Sequence, residues 1–130
     1  MRARPLSPHM SIYRMRRYCL LTSFANRITG AALSAGLLLL IYWLLALARG
    51  ARAYARAQQV LGSDVAKLVY VALIAAFSYH LLAGIRHLVW DTGRGMEKAQ
   101  SQRSAWGVIA AALALTALCA WWAFRAREAV

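Results

Sequence analysis

Residues 68–85 read LVYVALIAAFSYHLLAGI, a stretch of 18 positions without Asp, Glu, Lys or Arg. Residues 28–48 and 104–124 are equally free of these charges, over 21 positions each. A helix needs about 20 apolar residues, at about 1.5 Å per residue, to cross a bilayer. Backbone groups in lipid must also be hydrogen-bonded within the segment. The sequence therefore predicts an all-α integral membrane protein with three transmembrane helices.

The three spans divide the chain into successive segments. The predicted order is a cytoplasmic N-terminal segment that includes the start of the first helix (1–27), transmembrane helix 1 (28–48), an outer loop (49–67), transmembrane helix 2 (68–85), a cytoplasmic loop (86–103), transmembrane helix 3 (104–124) and an outer tail (125–130). The outer loop is rich in Ala, Arg and Gln, a composition compatible with a short interfacial helix.

The 16 Lys and Arg residues are divided unevenly between the two sides of these spans. Ten lie before the first span or between the second and third, and six lie in the outer loop and tail. Cytoplasmic segments are enriched in positive charge, so we expect the N-terminus in the cytoplasm and the C-terminus in the periplasm of a bacterial inner (plasma) membrane. Because the charges lie at membrane boundaries, they favour contact with the lipid bilayer and no nucleic-acid binding.

His80 is the one ionisable side chain in the middle of the second span. Charged groups at this depth cost roughly 2.5 kcal/mol or more, so such residues are first treated as functional candidates. Imidazole is a common protein ligand of haem iron. Gly84 and His87 follow His80 by four and seven residues and fall on the same helical face at about 100° per residue. Gly84 would leave a flat space for a macrocycle.

A haem at His80 would direct its propionates towards the cytoplasmic edge, where Arg27, Arg86 and His87 are the nearest basic groups. The alternative interpretation is a helix–helix contact in which Gly84 permits close packing and His80 bonds a neighbouring Ser or Thr. The absence of a C-x-x-C-H motif means that any haem would be held non-covalently.

Ser23 and Arg27 open the first span on the same cytoplasmic side. Being four residues apart, they share a face if this segment is helical. A hydroxyl and a guanidinium could hydrogen-bond a quinone carbonyl, and the guanidinium could stabilise the anion formed on reduction. The alternative is a serine that caps the helix, followed by an arginine that snorkels to the headgroups.

Three ordered motifs carry a family resemblance. Residues 4–14, RPLSPHMSIYR, resemble the N-terminal signature of the cytochrome b membrane-anchor subunit of succinate dehydrogenase. Residues 23–30, SFANRITG, are similar to its second motif, Ser-x-x-His-Arg-x-[Ser/Thr]-Gly. Residues 79–93, YHLLAGIRHLVWDTG, resemble its third, His-x-x-x-Gly-x-Arg-His-x-x-x-Asp.

The resemblance implies a small anchor that contributes to a multi-subunit helical bundle and helps to pass electrons to ubiquinone. It implies a flavoprotein and an iron–sulfur subunit on the cytoplasmic face, and a second small membrane-anchor subunit. His80 matches the family's axial ligand to haem b, Ser23 and Arg27 match its quinone-pocket residues, and His87 matches a residue near the haem propionates. Asn26 departs from the pattern, since the family usually has histidine there and an amide cannot titrate near neutral pH.

Two functions follow as hypotheses. The first is a succinate dehydrogenase anchor that binds haem b and forms part of the ubiquinone-reduction site, acting as a non-flavin subunit of the enzyme. The second is a haem-free three-span assembly anchor or small channel subunit, in which His80 serves packing or proton passage. Since this chain has only His80 within a span, a two-histidine haem site would need its other ligand from the partner anchor.

Overall fold

The computed structural model of the protein describes residues 17–128, with side chains from residue 20 to residue 125. The motif at residues 4–14 lies outside the described residues. Within the described part the chain forms four helices and no strand: α1 (Arg17–Ala48), α2 (Ala51–Leu61), α3 (Asp64–Asp91) and α4 (Lys98–Glu128). The predicted all-α fold is confirmed, and α1, α3 and α4 are each long and apolar enough to cross a membrane.

Each long helix extends beyond the charge-free stretch that predicted it. The apolar portions that qualify as spans run over Leu20–Ala48, Asp64–Asp91 and Lys98–Arg125. The physical reason is that a charged residue ends an apolar run without ending a helix, because its long side chain reaches the headgroups while its backbone stays hydrogen-bonded. Arg27 and Arg86 are therefore helical residues, although they marked the ends of the predicted spans.

The short helix α2 lies in the loop between α1 and α3 and packs back on their ends. Ala57 and Leu61 are buried together with Ala46 of α1. Tyr70 of α3 donates from its phenol to the carbonyl of Leu61 at 2.9 Å. Gly50 joins α1 to α2 with a φ of 90°, a backbone conformation that L side chains rarely adopt. These contacts hold the C-terminal end of α1 and the N-terminal end of α3 together.

Helix α3 packs against both other long helices, and small residues line the contacts. Among the described residues the buried apolar side chains are Leu61 and the alanines Ala46, Ala57, Ala76, Ala83, Ala105 and Ala112. Only 17% of the most apolar 18-residue stretch of α3 is buried, and only 6% of the corresponding stretch in each of the other two spans. Association of membrane helices relies on such small-residue contacts. Most of the apolar surface is thus left for lipid or for partner helices.

Candidate functional site

His80 lies where α3 contacts α1, and its Nδ1 atom faces two oxygens of α1. The backbone carbonyl of Asn26 is 3.2 Å away, and the hydroxyl Oγ1 of Thr29 is 3.3 Å away. The ring is half-buried in the described chain. The structure therefore places the candidate ligand in the contact between two spans, one turn of α1 from the proposed quinone-pocket residues.

The hydrogen-bond partners assign the tautomer of His80. A carbonyl oxygen can only accept, so the bond to Asn26 requires a proton on Nδ1. Thr29 donates its own hydroxyl proton to the carbonyls of Ala25 and Asn26, at 2.8 and 3.0 Å, and so also accepts from the ring. In the neutral ring the lone pair then lies on Nε2. Nε2 forms no hydrogen bond with any described residue, which leaves it available as a ligand atom.

Gly30 makes the close approach of this ring possible. A Cβ built at Gly30 would lie 3.1 Å from Cε1 and 3.6 Å from Nδ1 of His80. Contacts of 3.1 Å are tighter than almost all real Cβ contacts, so an alanine there would press on the imidazole. The glycine allows α1 to lie against the ring and brings the Asn26 carbonyl within hydrogen-bonding range.

An open-sided cleft of about 630 Å³ runs from His80 towards the middle of the membrane. Its walls come from α1 and α3 and are mostly apolar: Gly30, Leu33, Ser34, Gly36, Leu37, Leu40, Leu73, Phe77 and His80. Sites for small molecules commonly measure about 300–1,000 Å³ and are apolar with a few polar groups. An apolar cleft with one imidazole, whose Nε2 has no described hydrogen-bond partner, can supply apolar walls and one iron ligand, so the residues present fit a haem whose other ligand comes from elsewhere.

Ser23 and Arg27 are both exposed on α1. The helix begins at Arg17, so Ser23 lies inside it, and the alternative of a serine N-cap is wrong. Next to Ser23, the carbonyl of Thr22 accepts a hydrogen bond of 3.1 Å from the phenol of Tyr79. This bond anchors the N-terminal part of α1 to α3 beside the two candidate residues. Neither candidate side chain bonds another described residue, so both are open to a ligand or partner.

Arg86 points in a different direction from His80. Its guanidinium donates to Ser104 Oγ at 3.0 Å and to the carbonyl and Oγ of Ser101 at 2.9 and 3.2 Å. It also lies 4.0 Å from the ring centroid of Trp90. A separation of six residues from His80 turns the side chain by about 120° away from the face that carries the imidazole. The structure thus brings Arg86 into the contact between α3 and α4.

His87 and Gly84 share the helical face of His80, as the spacing indicates. His87 is exposed and meets Trp90 edge to face, with ring centroids 5.2 Å apart. A Cβ built at Gly84 would find no heavy atom within 4 Å. Among the described residues, therefore, no side chain fills the position of that Cβ, and the space there is open to a group from elsewhere.

Thr29 and Gly30 lie against His80, and the sequence singled out neither of them as its partner. Both stand in the motif SFANRITG; the sequence indicates Gly30 only as a small residue that allows close helix approach, and it assigns no role to Thr29. The available signal was their spacing, because Asn26, Thr29 and Gly30 lie at three- and four-residue intervals and so share one face of α1. Which side chain of α3 would meet that face could not be read from the sequence.

Fold and site together define the class of this molecule as a three-span membrane protein whose small-residue helix faces are mostly not covered by other described residues. Such faces are typical of subunits that associate with other membrane helices. A family model for the succinate dehydrogenase/fumarate reductase transmembrane subunit matches residues 1–119, and the chain belongs to this family. It is accordingly a membrane subunit of an oxidoreductase complex.

Individual relatives cover most of the chain. It is 41% identical over 115 residues to the succinate dehydrogenase cytochrome b556 subunit of Paracoccus denitrificans, covering 88% of both chains. Identity to the cytochrome b556 subunit of Rickettsia felis is 36% over 115 residues, covering 88% of this chain and 89% of the relative. The human mitochondrial cytochrome b560 subunit is 38% identical over 117 residues, which cover 88% of this chain and 66% of the relative.

Proposed function

We propose that this chain anchors a succinate dehydrogenase in the membrane, binds haem b together with a second membrane subunit, and forms part of the ubiquinone-reduction site. The observation that carries the proposal is the hydrogen bond from Nδ1 of His80 to the Asn26 carbonyl. Histidines that bind metals usually donate their other ring N–H to a carbonyl or carboxylate, which orients the ring and raises its basicity. His80 has this arrangement before any ligand is added.

His80 would hold the haem iron through Nε2, and Gly84 would leave room beside it. Arg27 and His87, both exposed at the cytoplasmic end, are the basic groups free to bind the propionates. Arg86 supports the same helix at a distance, because its described hydrogen bonds already go to α4. The haem, when bound, supplies a one-electron carrier. The names of the relatives, cytochrome b556 and cytochrome b560 subunits, support this cofactor.

Ser23 and Arg27 would bind ubiquinone. Reduction of a quinone consumes protons as well as electrons, so its site belongs close to water and to the electron donor. Both side chains are exposed at the end of α1 that the charge distribution assigns to the cytoplasm. Ser23 would donate a hydrogen bond to a quinone oxygen, and Arg27 would stabilise negative charge as it develops there.

Asn26 changes the proton chemistry of this site. The family pattern has histidine at this position, whereas the amide of Asn26 does not titrate. Its backbone carbonyl serves His80, and its side-chain Oδ1 is buried with no hydrogen-bond partner among the described residues. Proton delivery to a quinone here must therefore rely on other groups, and water at the exposed Ser23 and Arg27 is the nearest source.

The expected partners follow from the family and from the single histidine that lies within the described helix contacts. A second small membrane-anchor subunit would supply the other axial ligand, because among the described residues His80 is the one histidine within the helix contacts and His87 is exposed. The iron–sulfur and flavoprotein subunits would dock at the cytoplasmic end. Bacterial relatives and long apolar helices support an inner-membrane location. The excess of Lys and Arg before the first span and between the second and third favours a cytoplasmic N-terminus and a periplasmic C-terminus.

One observation favours the second candidate, a haem-free assembly anchor. The bonds of His80 to Asn26 and Thr29 join two spans, and a histidine used only for packing would make the same bonds. The two candidate functions differ in the role of Nε2 of His80. In a packing role this atom binds nothing, whereas in haem ligation it binds the iron.

The deciding experiment is a reduced-minus-oxidised visible spectrum of the purified complex, combined with a haem assay. We expect a b-type spectrum that His80→Ala weakens or abolishes. Trp106→Ala is the control, since Trp106 is an exposed aromatic residue of α4 that does not line this cleft. Co-purification of the soluble subunits verifies assembly. An unchanged spectrum and haem content in His80→Ala would rule out His80 as the ligand, and a native complex without a b-type spectrum would leave the haem-free anchor as the function.

A further inference from the structure

We propose that Thr29 is a positioning residue for the haem ligand: its hydroxyl, together with the Asn26 carbonyl, fixes the tautomer and rotation of His80. The inference rests on the proposed ligation of haem by His80 and adds a residue to which sequence and family comparison gave no role. Four hydrogen bonds between this chain's own residues support it.

The hydroxyl of Thr29 is itself oriented by α1. It has one proton, and the carbonyls of Ala25 and Asn26 share that proton at 2.8 and 3.0 Å. A lone pair is thus left for the imidazole, and Nδ1 of His80 is found 3.3 Å away. Because the helix backbone holds the proton, Thr29 cannot readily reverse its role and donate to His80. Only the tautomer protonated at Nδ1 satisfies the contact.

Two acceptors then share one ring proton. The Asn26 carbonyl lies 3.2 Å from Nδ1 and the Thr29 hydroxyl 3.3 Å from it, both on α1. Each bond is at or beyond the usual upper limit of about 3.2 Å for N–H···O, so neither alone holds the ring tightly. The pair limits rotation about the Cβ–Cγ bond in a way that a single acceptor would not.

The membrane environment makes the loss of the Thr29–His80 hydrogen bond more costly. In the hydrocarbon region no bulk water can replace a lost acceptor, so a ring N–H with a weakened partner remains poorly satisfied. Hydrogen bonding at Nδ1–H makes Nε2 a stronger donor to a metal. A stronger donor stabilises the oxidised metal, and loss of the Thr29 contact should therefore raise the midpoint potential of the haem.

The test compares three variants in the assembled complex. Thr29→Val keeps the shape of the side chain but removes the hydroxyl, whereas Thr29→Ser keeps the hydroxyl. Thr116→Val is the matched control, because Thr116 of α4 also bonds the carbonyl four residues earlier, that of Ala112, at 2.7 Å, and has no histidine partner. Measurements are the haem midpoint potential, the electron paramagnetic resonance spectrum of the oxidised haem, and haem retention during detergent washing.

We expect Thr29→Val to shift the potential to more positive values, to change the resonance spectrum, and to lose haem severalfold faster. Thr29→Ser should restore all three, and Thr116→Val should leave them unchanged. A silent Thr29→Val, or equal losses in Thr29→Val and Thr116→Val, would overturn the role of Thr29. The spectrum of His80→Ala distinguishes failure of the Thr29 role from failure of the proposed function. An unaltered spectrum in that variant would contradict haem ligation by His80 itself.

Discussion

Gly30 of α1 and His80 of α3 are in direct contact: a methyl group added at Gly30 would lie 3.1 Å from Cε1 of the imidazole. The ring cannot yield without cost, since its bonds to Asn26 and Thr29 are already 3.2 and 3.3 Å long. A displacement of a few tenths of an ångström away from α1 would weaken both. This contact couples the packing of two spans to the orientation of the candidate haem ligand.

The first prediction is that Gly30→Ala impairs haem binding. Overpacking of this kind costs about 1–3 kcal/mol, and here the strain falls on the ring. We expect lower haem content and an altered b-type spectrum in the purified complex. Gly107→Ala is the control, because a Cβ at Gly107 of α4 would meet no heavy atom within 4 Å. Full haem content in Gly30→Ala would show that the ring can move without losing its ligand geometry.

The second prediction concerns Gly84, which no described side chain contacts. Gly84→Ala should be neutral or slightly stabilising for the helix itself, since alanine is favoured over glycine there by up to about 1 kcal/mol. If the macrocycle lies beside Gly84, haem content should nevertheless fall severalfold while the chain stays in the membrane. Haem per complex, measured with immunodetection of the chain, checks this. Normal haem in this variant would place the macrocycle away from Gly84.

Arg86 gives the third prediction. Removing a guanidinium that binds Ser101 and Ser104 should loosen α4 from α3, at about 2–3 kcal/mol, since hydrogen bonds to charged groups are worth roughly 1.5–3 kcal/mol each. We expect Arg86→Met to lower the midpoint temperature of thermal inactivation of the complex. Arg86→Lys should not restore it, because an ammonium lacks the fork that reaches both serines.

Arg94→Met serves as the control for Arg86, because Arg94 is an exposed arginine in the nearby connection between α3 and α4. The same variants, assayed for haem content, also test whether Arg86 binds a haem propionate. Loss of haem from Arg86→Met without any loss of thermal stability would contradict the structural role and assign Arg86 to the cofactor.

The sequence predicted the elements of this fold better than their contacts. Charge-free stretches identify membrane helices because an unpaired charge in lipid is costly, and all three stretches are helical. The charge-free stretches do not by themselves give the helix ends, since nothing in hydropathy marks how far a helix continues into the headgroup region, and α1 begins at Arg17. The face shared by His80, Gly84 and His87 followed from helical periodicity. Their surroundings did not, because periodicity says which residues share a face but not what packs on it.

The fourth prediction is the orientation in the membrane. With ten Lys and Arg residues on one side and six on the other, the positive-inside tendency places the loop near residue 58 and the C-terminus outside. Reporter fusions at residues 58 and 130 should both read as periplasmic, and a fusion at residue 98 as cytoplasmic. Cytoplasmic signals from both of the first two fusions would invert the topology and move Ser23 and Arg27 to the periplasmic side.

The last prediction concerns Ser23. Its hydroxyl is exposed inside α1 and does not cap the helix, so its removal should not unfold this end, which Tyr79 still ties to the carbonyl of Thr22 at 3.1 Å. A quinone oxygen that loses this donor is bound less well, and one hydrogen bond is worth about 0.5–1.5 kcal/mol, or roughly a two- to tenfold effect. We expect Ser23→Ala to lower succinate:quinone reductase activity by that factor while sparing succinate oxidation by a dye that accepts electrons upstream.

Thr116→Val is the control for Ser23→Ala, because the Thr116 hydroxyl of α4 donates to the Ala112 carbonyl at 2.7 Å and Thr116 does not line the cleft beside His80. It should leave both activities unchanged. Arg27→Gln should reduce quinone reductase activity further than Ser23→Ala, since the developing negative charge loses its nearest cation. If Ser23→Ala lowered quinone and dye activities equally, Ser23 would serve the docking of the soluble subunits, and the quinone would have to bind elsewhere.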